Sequence, residues 1–255
     1  MTPAMFIDPD WPAPPNVRSL ATTRHGGFSR GSYASLNLGM HVDDDSDAVQ
    51  RNRDRLREAG RLPGEPMWLR QVHGTTVWTG GPTAPPPTAD AAVSRIAGEV
   101  CVVMTADCLP ILLCDLDGRV VAAAHAGWRG LADGVIEATV AAMNVPPARL
   151  MAWLGPAIEQ EAFEVGGEVF DRFIARHAEA ATAFAANARG RWQADLYALA
   201  RIELRSLGVE RVYGGGFRTF ADSERFYSYR REPQTGRMAT LVWLASAAEE
   251  TPSPA

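Results

Sequence analysis

Short apolar runs rich in β-branched residues alternate along the chain with longer segments of helical periodicity. The clearest helix is the stretch SDAVQRNRDRLREAG, for which the sequence predicts Ser46 as N-cap and Gly60 as C-cap. Strands outnumber helices and are interleaved with them, so the pattern predicts an α/β or α+β class with mixed sheets. Strands are expected at 17–22, 67–72, 75–79, 99–105, 110–115, 119–125, 150–154, 226–229 and 238–244, and further helices at 130–143, 167–177 and 194–207.

A single internal segment has the composition of a linker. The run GGPTAPPPT, Gly80 to Thr88, is rich in proline, which cannot donate to a sheet ladder, so we expect a surface loop there. Because no second shift in composition occurs, residues 1–255 are predicted to form one domain. The ends, about 1–14 and 247–255, are rich in proline and are expected to be loosely held.

The charge balance excludes several classes of protein. The 255 residues carry 25 basic and 30 acidic side chains, and a net charge of -5 argues against a general nucleic-acid binder. All the basic residues are Arg, since the sequence contains no Lys. A Schiff-base enzyme and a Walker A phosphate loop both need a lysine, so neither class fits.

The cysteines and the N-terminus indicate a compartment. Cys101, Cys108 and Cys114 have the wrong number and spacing for a disulfide framework, and we interpret them as reduced thiols. The N-terminal MTPAMFIDPDWPAPP lacks the basic and apolar regions of a signal peptide, and no stretch approaches the ~20 apolar residues of a membrane span. The sequence therefore predicts a cytoplasmic protein with no membrane partner.

One segment, ADCLPILLCDLDGRVVAAAHAGWRG, combines a thiol, a carboxylate and an imidazole. A strand ends shortly before Asp107 and Cys108, and a hairpin follows whose second strand ends at His125, so Cys108 and His125 can lie side by side. His73, in LRQVHG, is a third candidate. Spaced this widely, the three residues are only a weak metal signal, and a buried thiol with two structural histidines is the alternative interpretation.

Two further segments contain candidate anion-binding groups. The strand-to-helix turn after the hairpin carries Arg129, and a helix N-terminus with a guanidinium can hold an anion, although an ordinary tight turn is the alternative. The segment ATTRHGGFSRGSYASLNLG has no periodicity, and a long irregular loop of this kind is usually functional. It carries Arg24 and Asn37, whereas His25 and His41 are interpreted as surface histidines.

The motifs together resemble the YfiH-like laccase-domain family, whose members are also described as multicopper polyphenol oxidases and as purine nucleoside phosphorylases. The match spans nearly the whole chain in one order. It departs from the family pattern at Gly216-Phe217-Arg218-Thr219, where a Cys is expected before the Thr. The motifs are TTRHGGFSRGSYASLNLG, Asn52-Arg53, QVHG at 71–74, ADCLP at 106–110, HAGWRG at 125–130, GPAI at 155–158, FEVG at 163–166 and FYSYRR…TGRMATLVW at 226–243.

The resemblance implies both a site and an activity. It implies a zinc ion bound by His73, Cys108 and His125, in a four-layered α/β fold shared with bacterial toxin deamidases of the CNF type. It implies phosphorolysis of adenosine, inosine, guanosine and methylthioadenosine, with adenosine deamination as a second reaction, and a role in peptidoglycan-precursor editing. The partners would be purine nucleosides and phosphate, and we expect a monomer that binds no nucleic acid.

Elementary chemistry selects among these implications. A multicopper cluster is built largely from His-x-His pairs, which the five histidines at 25, 41, 73, 125 and 177 never form, whereas a single copper at a His2Cys site stays possible. Three protein ligands leave zinc an open fourth position, which is the catalytic pattern. Asp107 is a candidate proton carrier for deamination. Arg24, Asn37 and Arg129 are the candidate residues for binding substrate and phosphate.

Two rival functions remain open at this point. The first is a metal-free cysteine hydrolase or deamidase in which Cys108 is the nucleophile and His125 its base. His73 discriminates, because a Cys–His pair does not need a second imidazole and a zinc site does. The second rival is a non-catalytic metal-binding protein, in which an open coordination position would have no purpose.

Overall fold

The central strands are apolar on both faces, and the computed structural model, which describes residues 4–245, buries each face against a different layer. In the strand Val100–Thr105, Cys101 and Val103 join one hydrophobic cluster while Val100 and Val102 join another. Successive side chains of a strand point to opposite faces, so this division shows a sheet covered on both sides.

The described residues form thirteen strands, grouped into a four-stranded, a six-stranded and a three-stranded sheet. The longest strands are fully buried, because other layers of the protein cover both of their faces. The strands are β1 (Phe6–Ile7), β2 (Val17–Thr22), β3 (Val77–Trp78), β4 (Ala91–Ser94), β5 (Val100–Thr105), β6 (Leu109–Asp115), β7 (Val121–Ala126), β8 (Leu150–Leu154), β9 (Glu164–Val165), β10 (Phe184–Ala186), β11 (Trp192–Ala194), β12 (Arg211–Gly214) and β13 (Met238–Leu244).

The order of strands within the sheets brings distant parts of the chain together. The four-stranded sheet runs β1-β2-β13-β5 and is antiparallel throughout. The six-stranded sheet runs β12-β8-β6-β7-β4-β3, and only its two edge pairs, β12 with β8 and β3 with β4, are parallel. The small sheet runs β10-β11-β9. The predicted hairpin between β6 and β7 is present and turns at Gly118.

Helices cover the outer faces of the two large sheets. Leu56 of α1 packs on the four-stranded sheet, and the other four helices pack on the six-stranded sheet. A core of apolar side chains lies between the sheets, so the order of layers is helix, sheet, sheet, helices. The predicted mixed α/β class with four layers is confirmed. The helices are α1 (Ser46–Ala59), α2 (Trp128–Asp133), α3 (Val135–Met143), α4 (Gly167–Arg176) and α5 (Leu196–Ser206).

Two predicted strands are wrong, because a run of apolar residues indicates that a segment is buried but not that it pairs with a neighbouring strand. Residues 67–72 form only isolated bridges, Met67 with Cys101 and Arg70 with Thr88. Residues 226–229 are irregular, and Phe226 and Tyr227 are fully buried there without pairing to a strand. The short strands β1, β4 and β9 to β12 were not predicted, since two to four residues carry too little periodicity.

Helix boundaries differ from the prediction for local reasons. The N-cap of α1 is Asp45 and not Ser46, because the Asp45 carboxylate accepts hydrogen bonds from the Asp47 and Ala48 N–H groups. The C-cap at Gly60 is as predicted. The helix expected at 130–143 is divided into α2 and α3, since Gly134 adopts a φ of 97° that interrupts helical geometry.

The N-terminal segment, expected to be loosely held, makes specific contacts where the structure describes it. Phe6–Ile7 pairs with the end of β2. The indole of Trp11 donates to Ser19 Oγ at 3.1 Å, and the Asp10 carboxylate accepts from the Trp153 indole at 2.8 Å. Residues 247–255 lie outside the described residues. Within the described part, no helix has both the length and the apolar character that crossing a bilayer requires.

The buried thiols of Cys101 and Cys114 lie in the core between the sheets and away from any polar cluster. Cys101→Ala and Cys114→Ala are each expected to lower the free energy of unfolding by about 1 kcal/mol, because a small buried group is removed from a packed interior. Urea unfolding measures this loss. Metal content and turnover should stay at the unsubstituted level, and loss of either in a folded variant would contradict the assignment of these thiols to the core.

Candidate active site

Three segments distant in sequence bring one thiol and two imidazoles to a common point. Cys108 immediately precedes β6, His125 is the penultimate residue of β7, and the hairpin register pairs His125 with Pro110. His73 comes from the loop before β3, and its Nε2 lies 3.7 Å from Cys108 Sγ. One ligand atom from each of the three side chains lies within 4.8 Å of the others. The structure therefore brings together the three residues that the sequence singled out.

Asp90, which the sequence reasoning missed, holds two of these three residues. Its Oδ1 lies 2.8 Å from His125 Nδ1, and its backbone carbonyl accepts the His125 N–H. The same carboxylate accepts the backbone N–H groups of Val72, His73 and Gly74 at 3.2, 2.9 and 2.7 Å. Burial opposes its ionisation, but these hydrogen bonds outweigh burial and lower the pKa of Asp90. Asp90 therefore fixes the His125 ring and the His73 loop at once.

The backbone around the site leaves no room for added side-chain atoms. A Cβ at Gly127 would lie 2.7 Å from His73 Cδ2 and 3.0 Å from Cys108 Sγ, so the glycine of the HAGWRG motif is a steric requirement. His73 and Asp107 have φ values of 61° and 94°, in the left-handed region that side chains rarely adopt. Such conformations persist only where surrounding bonds impose them, and they cluster at functional sites.

The site stabilises the ionised form of its thiol. Burial raises the pKa of Cys108, but the positive charge of His125 and hydrogen bonds from His125 and His73 outweigh it and lower the pKa to about 6. Burial lowers the pKa of His125, but the Cys108 thiolate and Asp90 outweigh it and raise the pKa to about 9. Burial raises the pKa values of Cys101 and Cys114 instead. Only Cys108 of the three is therefore a thiolate near neutral pH.

The donor set fits a single borderline or soft metal ion. His125 uses Nδ1 for Asp90, which leaves Nε2 facing the thiolate, and this carboxylate–imidazole pairing is the usual support of a metal-ligating histidine. Two imidazoles and one thiolate suit zinc or copper and do not suit magnesium or calcium. Within residues 4–245 no other group of three or more His, Cys, Asp or Glu side chains is close enough to share an ion.

The carboxylate of Asp107 is bound by residues of a distant loop. It accepts hydrogen bonds from Thr219 Oγ1 at 2.7 Å, Ser228 Oγ at 3.0 Å and the Arg230 N–H at 2.7 Å. A buried carboxylate with three donors is well suited to hold loops together, since these donors occupy most of its roughly four lone-pair positions. Asp107 thereby ties the start of β6 to residues 219–230.

Arg24 is near the site region but is engaged by the protein. Its Nε donates to Ala34 O at 2.8 Å and its Nη1 donates to Ser223 O at 3.0 Å. Its guanidinium carbon lies 4.7 Å from the ring centroid of Tyr227. The Nε and Nη1 groups of the guanidinium therefore cross-link two loops.

Arg129 and Asn37 occupy contrasting positions. Arg129 is exposed on the first turn of α2 and lies over the Trp128 ring at 4.7 Å, with no ion pair to any residue in 4–245. Asn37 is fully buried, and its Oδ1 accepts the backbone N–H groups of Gly39 and Arg237. Asn37 therefore organises the backbone beside the site.

One cationic group near the site, Arg237, was not predicted as a site residue. The charge of Cys108 acts on Arg237 and favours its ionised form, against the stronger effect of burial, which lowers the Arg237 pKa. Partial burial lowers the pKa of His41, and the charges of Arg237, Arg53 and His125 add to the lowering. The His41 side chain is exposed, as predicted for a surface histidine. Hydrophobic periodicity carries no signal for such groups, because their proximity arises from contacts between distant segments.

Comparisons with known proteins agree with this architecture. The profile of the family described as multi-copper polyphenol oxidoreductase laccase matches residues 18–245. A purine nucleoside phosphorylase of Pseudomonas aeruginosa is 58% identical over 240 residues, which cover 94% of this chain and 98% of that protein. The purine nucleoside phosphorylase YfiH of Escherichia coli is 51% identical over 241 residues, with coverage of 94% and 98%.

A solved structure supports the same relationship. The crystal structure of a Neisseria meningitidis protein of the family DUF152 superposes with a TM-score of 0.90 at 52% identity, covering 95% of this chain and all of that one. Sequence profile, curated relatives and solved structure all span nearly the whole chain. The chain therefore belongs to the multi-copper polyphenol oxidoreductase laccase family, in the branch of YfiH-type proteins.

Proposed function

We propose that this chain is a zinc-dependent purine nucleoside phosphorylase acting on adenosine, inosine, guanosine and methylthioadenosine, with adenosine deamination as a second activity. The observation that carries the proposal is the convergence of His73, Cys108 and His125 within 4.8 Å, in a chain whose relatives at 51% and 58% identity are named purine nucleoside phosphorylases. The three side chains would hold the metal. Its cellular location would be the cytoplasm.

Some residues of the site would supply charge to a bound metal, and others orient its ligands. The thiolate of Cys108 supplies the negative charge that offsets a divalent ion, and Asp90 holds His125 so that Nε2 faces the thiolate. Held by His73, Cys108 and His125, zinc would supply Lewis-acid chemistry to the reaction. Gly127 keeps that side of the site narrow.

For phosphorolysis, the residues around the site must position phosphate and exclude water. A phosphate oxygen forms a bond to C1′ of the ribose, the C1′–N9 bond breaks, and its electron pair leaves with the purine, which takes up a proton. The protein must hold the phosphate against C1′ and exclude water, because water would hydrolyse the same bond. For deamination, Asp107 was the candidate proton carrier, and its three hydrogen-bond donors favour a role in positioning Cys108 instead.

A second candidate function rests on the same side chains. Cys108, His125 and Asp90 are arranged as nucleophile, base and orienting carboxylate, and a thiolate with an adjacent imidazolium is the resting form of many cysteine hydrolases. A hydrolase or deamidase that edits peptidoglycan precursors is therefore the alternative. His73 argues for metal, because a triad has no use for a second imidazole 3.7 Å from the sulfur. The same donors also accept copper, as a single-copper polyphenol oxidase would require.

Product analysis with adenosine tests the proposal. Purified protein of known metal content is incubated with adenosine, with and without phosphate, and the purines are separated chromatographically. Phosphate-dependent adenine supports phosphorolysis, and inosine formed without phosphate supports deamination. If neither product forms with zinc-loaded or copper-loaded protein, the proposed function is wrong.

Cys108→Ser is expected to lose bound metal and purine turnover together while the far-UV CD spectrum stays that of the folded protein. A serine hydroxyl is a harder and far less acidic ligand than a thiol, whereas the fold has its own apolar core and does not depend on metal. Metal per chain and turnover are measured on the same preparations. Retained metal with abolished turnover would identify Cys108 as a nucleophile and favour the hydrolase.

Asp90→Asn is expected to weaken metal affinity by about 10- to 100-fold, because the amide no longer provides the charge that orients His125. Competition with a chelator measures the affinity. Asp115→Asn is the matched control, since Asp115 is a buried carboxylate at the other end of β6 that accepts the Arg119 and Val120 N–H groups. This control should lose stability and keep its metal. Equal metal affinity in both variants would remove Asp90 from the site.

In the metal-free protein, the rate of Cys108 alkylation by iodoacetamide is expected to rise with pH through a midpoint of about 6. The lowered pKa means that the thiolate persists down to that pH and protonates only below it. Metal binding should suppress the reaction, and Cys101 and Cys114 should stay unmodified because both are fully buried. His125→Asn should move the midpoint upward. A midpoint at the value of an ordinary thiol would show that no thiolate–imidazolium pair exists.

A further inference from the structure

The guanidinium of Arg237 has donors that no group of the protein uses. Its Nη1 donates to the Thr235 and Gly236 carbonyls at 2.9 and 3.0 Å. Its Nε and Nη2 form no hydrogen bond with any residue in 4–245, and no carboxylate of that range lies within ion-pair distance of it. The side chain is half-buried, so its free Nε–Nη2 edge is available to a ligand.

The strand register places this guanidinium beside the metal-ligand cluster. Arg237 directly precedes β13, whose first residue, Met238, pairs with Thr105 at the end of β5. Cys108 follows Thr105 by three residues. On the other side, the Ser228 hydroxyl and the Arg230 N–H bind the carboxylate that precedes Cys108. The two ends of the segment 228–237 therefore both lie against the connection between β5 and β6, which contains Asp107 and Cys108.

Several contacts hold Arg237 in this position. The Asn37 Oδ1 accepts its backbone N–H at 2.9 Å. A Cβ at Gly39 would lie 2.8 Å from Arg237 Cγ, so the stem of the side chain packs directly on that glycine. The guanidinium carbon lies 5.9 Å from the ring centroid of Tyr229. These contacts fix the position of the Arg237 side chain, and with it the position of the free Nε and Nη2 donors.

We propose that Arg237 forms a phosphate-binding subsite next to the metal-ligand cluster, and that it holds the attacking phosphate of the phosphorolysis proposed above. A guanidinium edge with free Nε and Nη2 donors matches two oxygens of a phosphate. Arg24 is committed to two carbonyls and Arg129 is exposed on α2, so neither offers an equally free and fixed fork. The inference rests on the proposed function for the identity of the anion.

Arg237→Met tests the subsite, because methionine keeps an apolar stem against Gly39 and removes the donors. The KM for phosphate is expected to rise by about tenfold or more, while the KM for inosine changes less than about twofold, since only charge-assisted contacts to phosphate are lost. Arg237→Lys should recover part of the phosphate affinity. Arg205→Met is the matched control, as Arg205 forms only an exposed pair with Glu179 on the far helix layer and should behave as the unsubstituted enzyme.

Equilibrium dialysis of the metal-loaded proteins with labelled orthophosphate, in the presence of hypoxanthine, separates this inference from the proposed function. Phosphate binding that is lost in Arg237→Met supports the subsite even if no turnover is found. Binding that is unchanged in Arg237→Met, or absent from the unsubstituted protein, overturns it. Arg237→Gln, which keeps a polar side chain at this half-buried position, should also weaken phosphate binding severalfold and provides the same test should Arg237→Met fail to fold.

Inosine 5′-monophosphate distinguishes free orthophosphate from the phosphate ester of a nucleotide as the ligand of the subsite. If Arg237→Met weakens binding of this nucleotide but leaves orthophosphate binding unchanged, the subsite takes the ester and the assignment to the attacking phosphate is wrong. If orthophosphate binding is weakened and inosine itself still binds with its original affinity, the assignment stands.

Discussion

The hydrogen bonds of one buried carboxylate, Asp90, hold the site together. His73 lies in a loop, His125 ends a central strand, and the two come from segments 52 residues apart. Asp90 joins them through three backbone N–H groups and one imidazole nitrogen. Without this link, the position of each histidine would depend on its own segment, and the three candidate ligand atoms would not be held within reach of one another.

The layered core explains how such a site can exist at strand ends. The two large sheets share an apolar interior, and their outer faces are covered by α1 on one side and by four helices on the other. The strands β5, β6 and β7 are therefore buried over their whole length. The polar candidate ligands Cys108 and His125 lie at the ends of β6 and β7. A metal at that edge adds function to a fold that is already stable, unlike a metal that replaces a core.

The charge of the arginine beside the site is opposite in sign to the net charge of the chain. The protein carries a net charge of -5, yet the positive charge of Arg237 interacts with Cys108 of the metal-ligand cluster. Local fields in a desolvated cleft decide ligand binding, whereas net charge governs solubility and long-range encounter. A local positive charge in an acidic protein therefore favours small anionic ligands at that point.

The sequence alone determined the mixed α/β class, the main helices and strands, the hairpin and the three metal-ligand candidates, because periodicity, turn residues and motifs are local properties. It did not reveal Asp90 or Arg237, and it did not predict that Asp107 and Arg24 would be engaged by loops. Those assignments depend on which donor meets which acceptor across 10 to 200 residues of chain. Only the tertiary structure decides such pairings, since a polar side chain has no intrinsic preference among distant partners until the backbone brings one of them within hydrogen-bond distance.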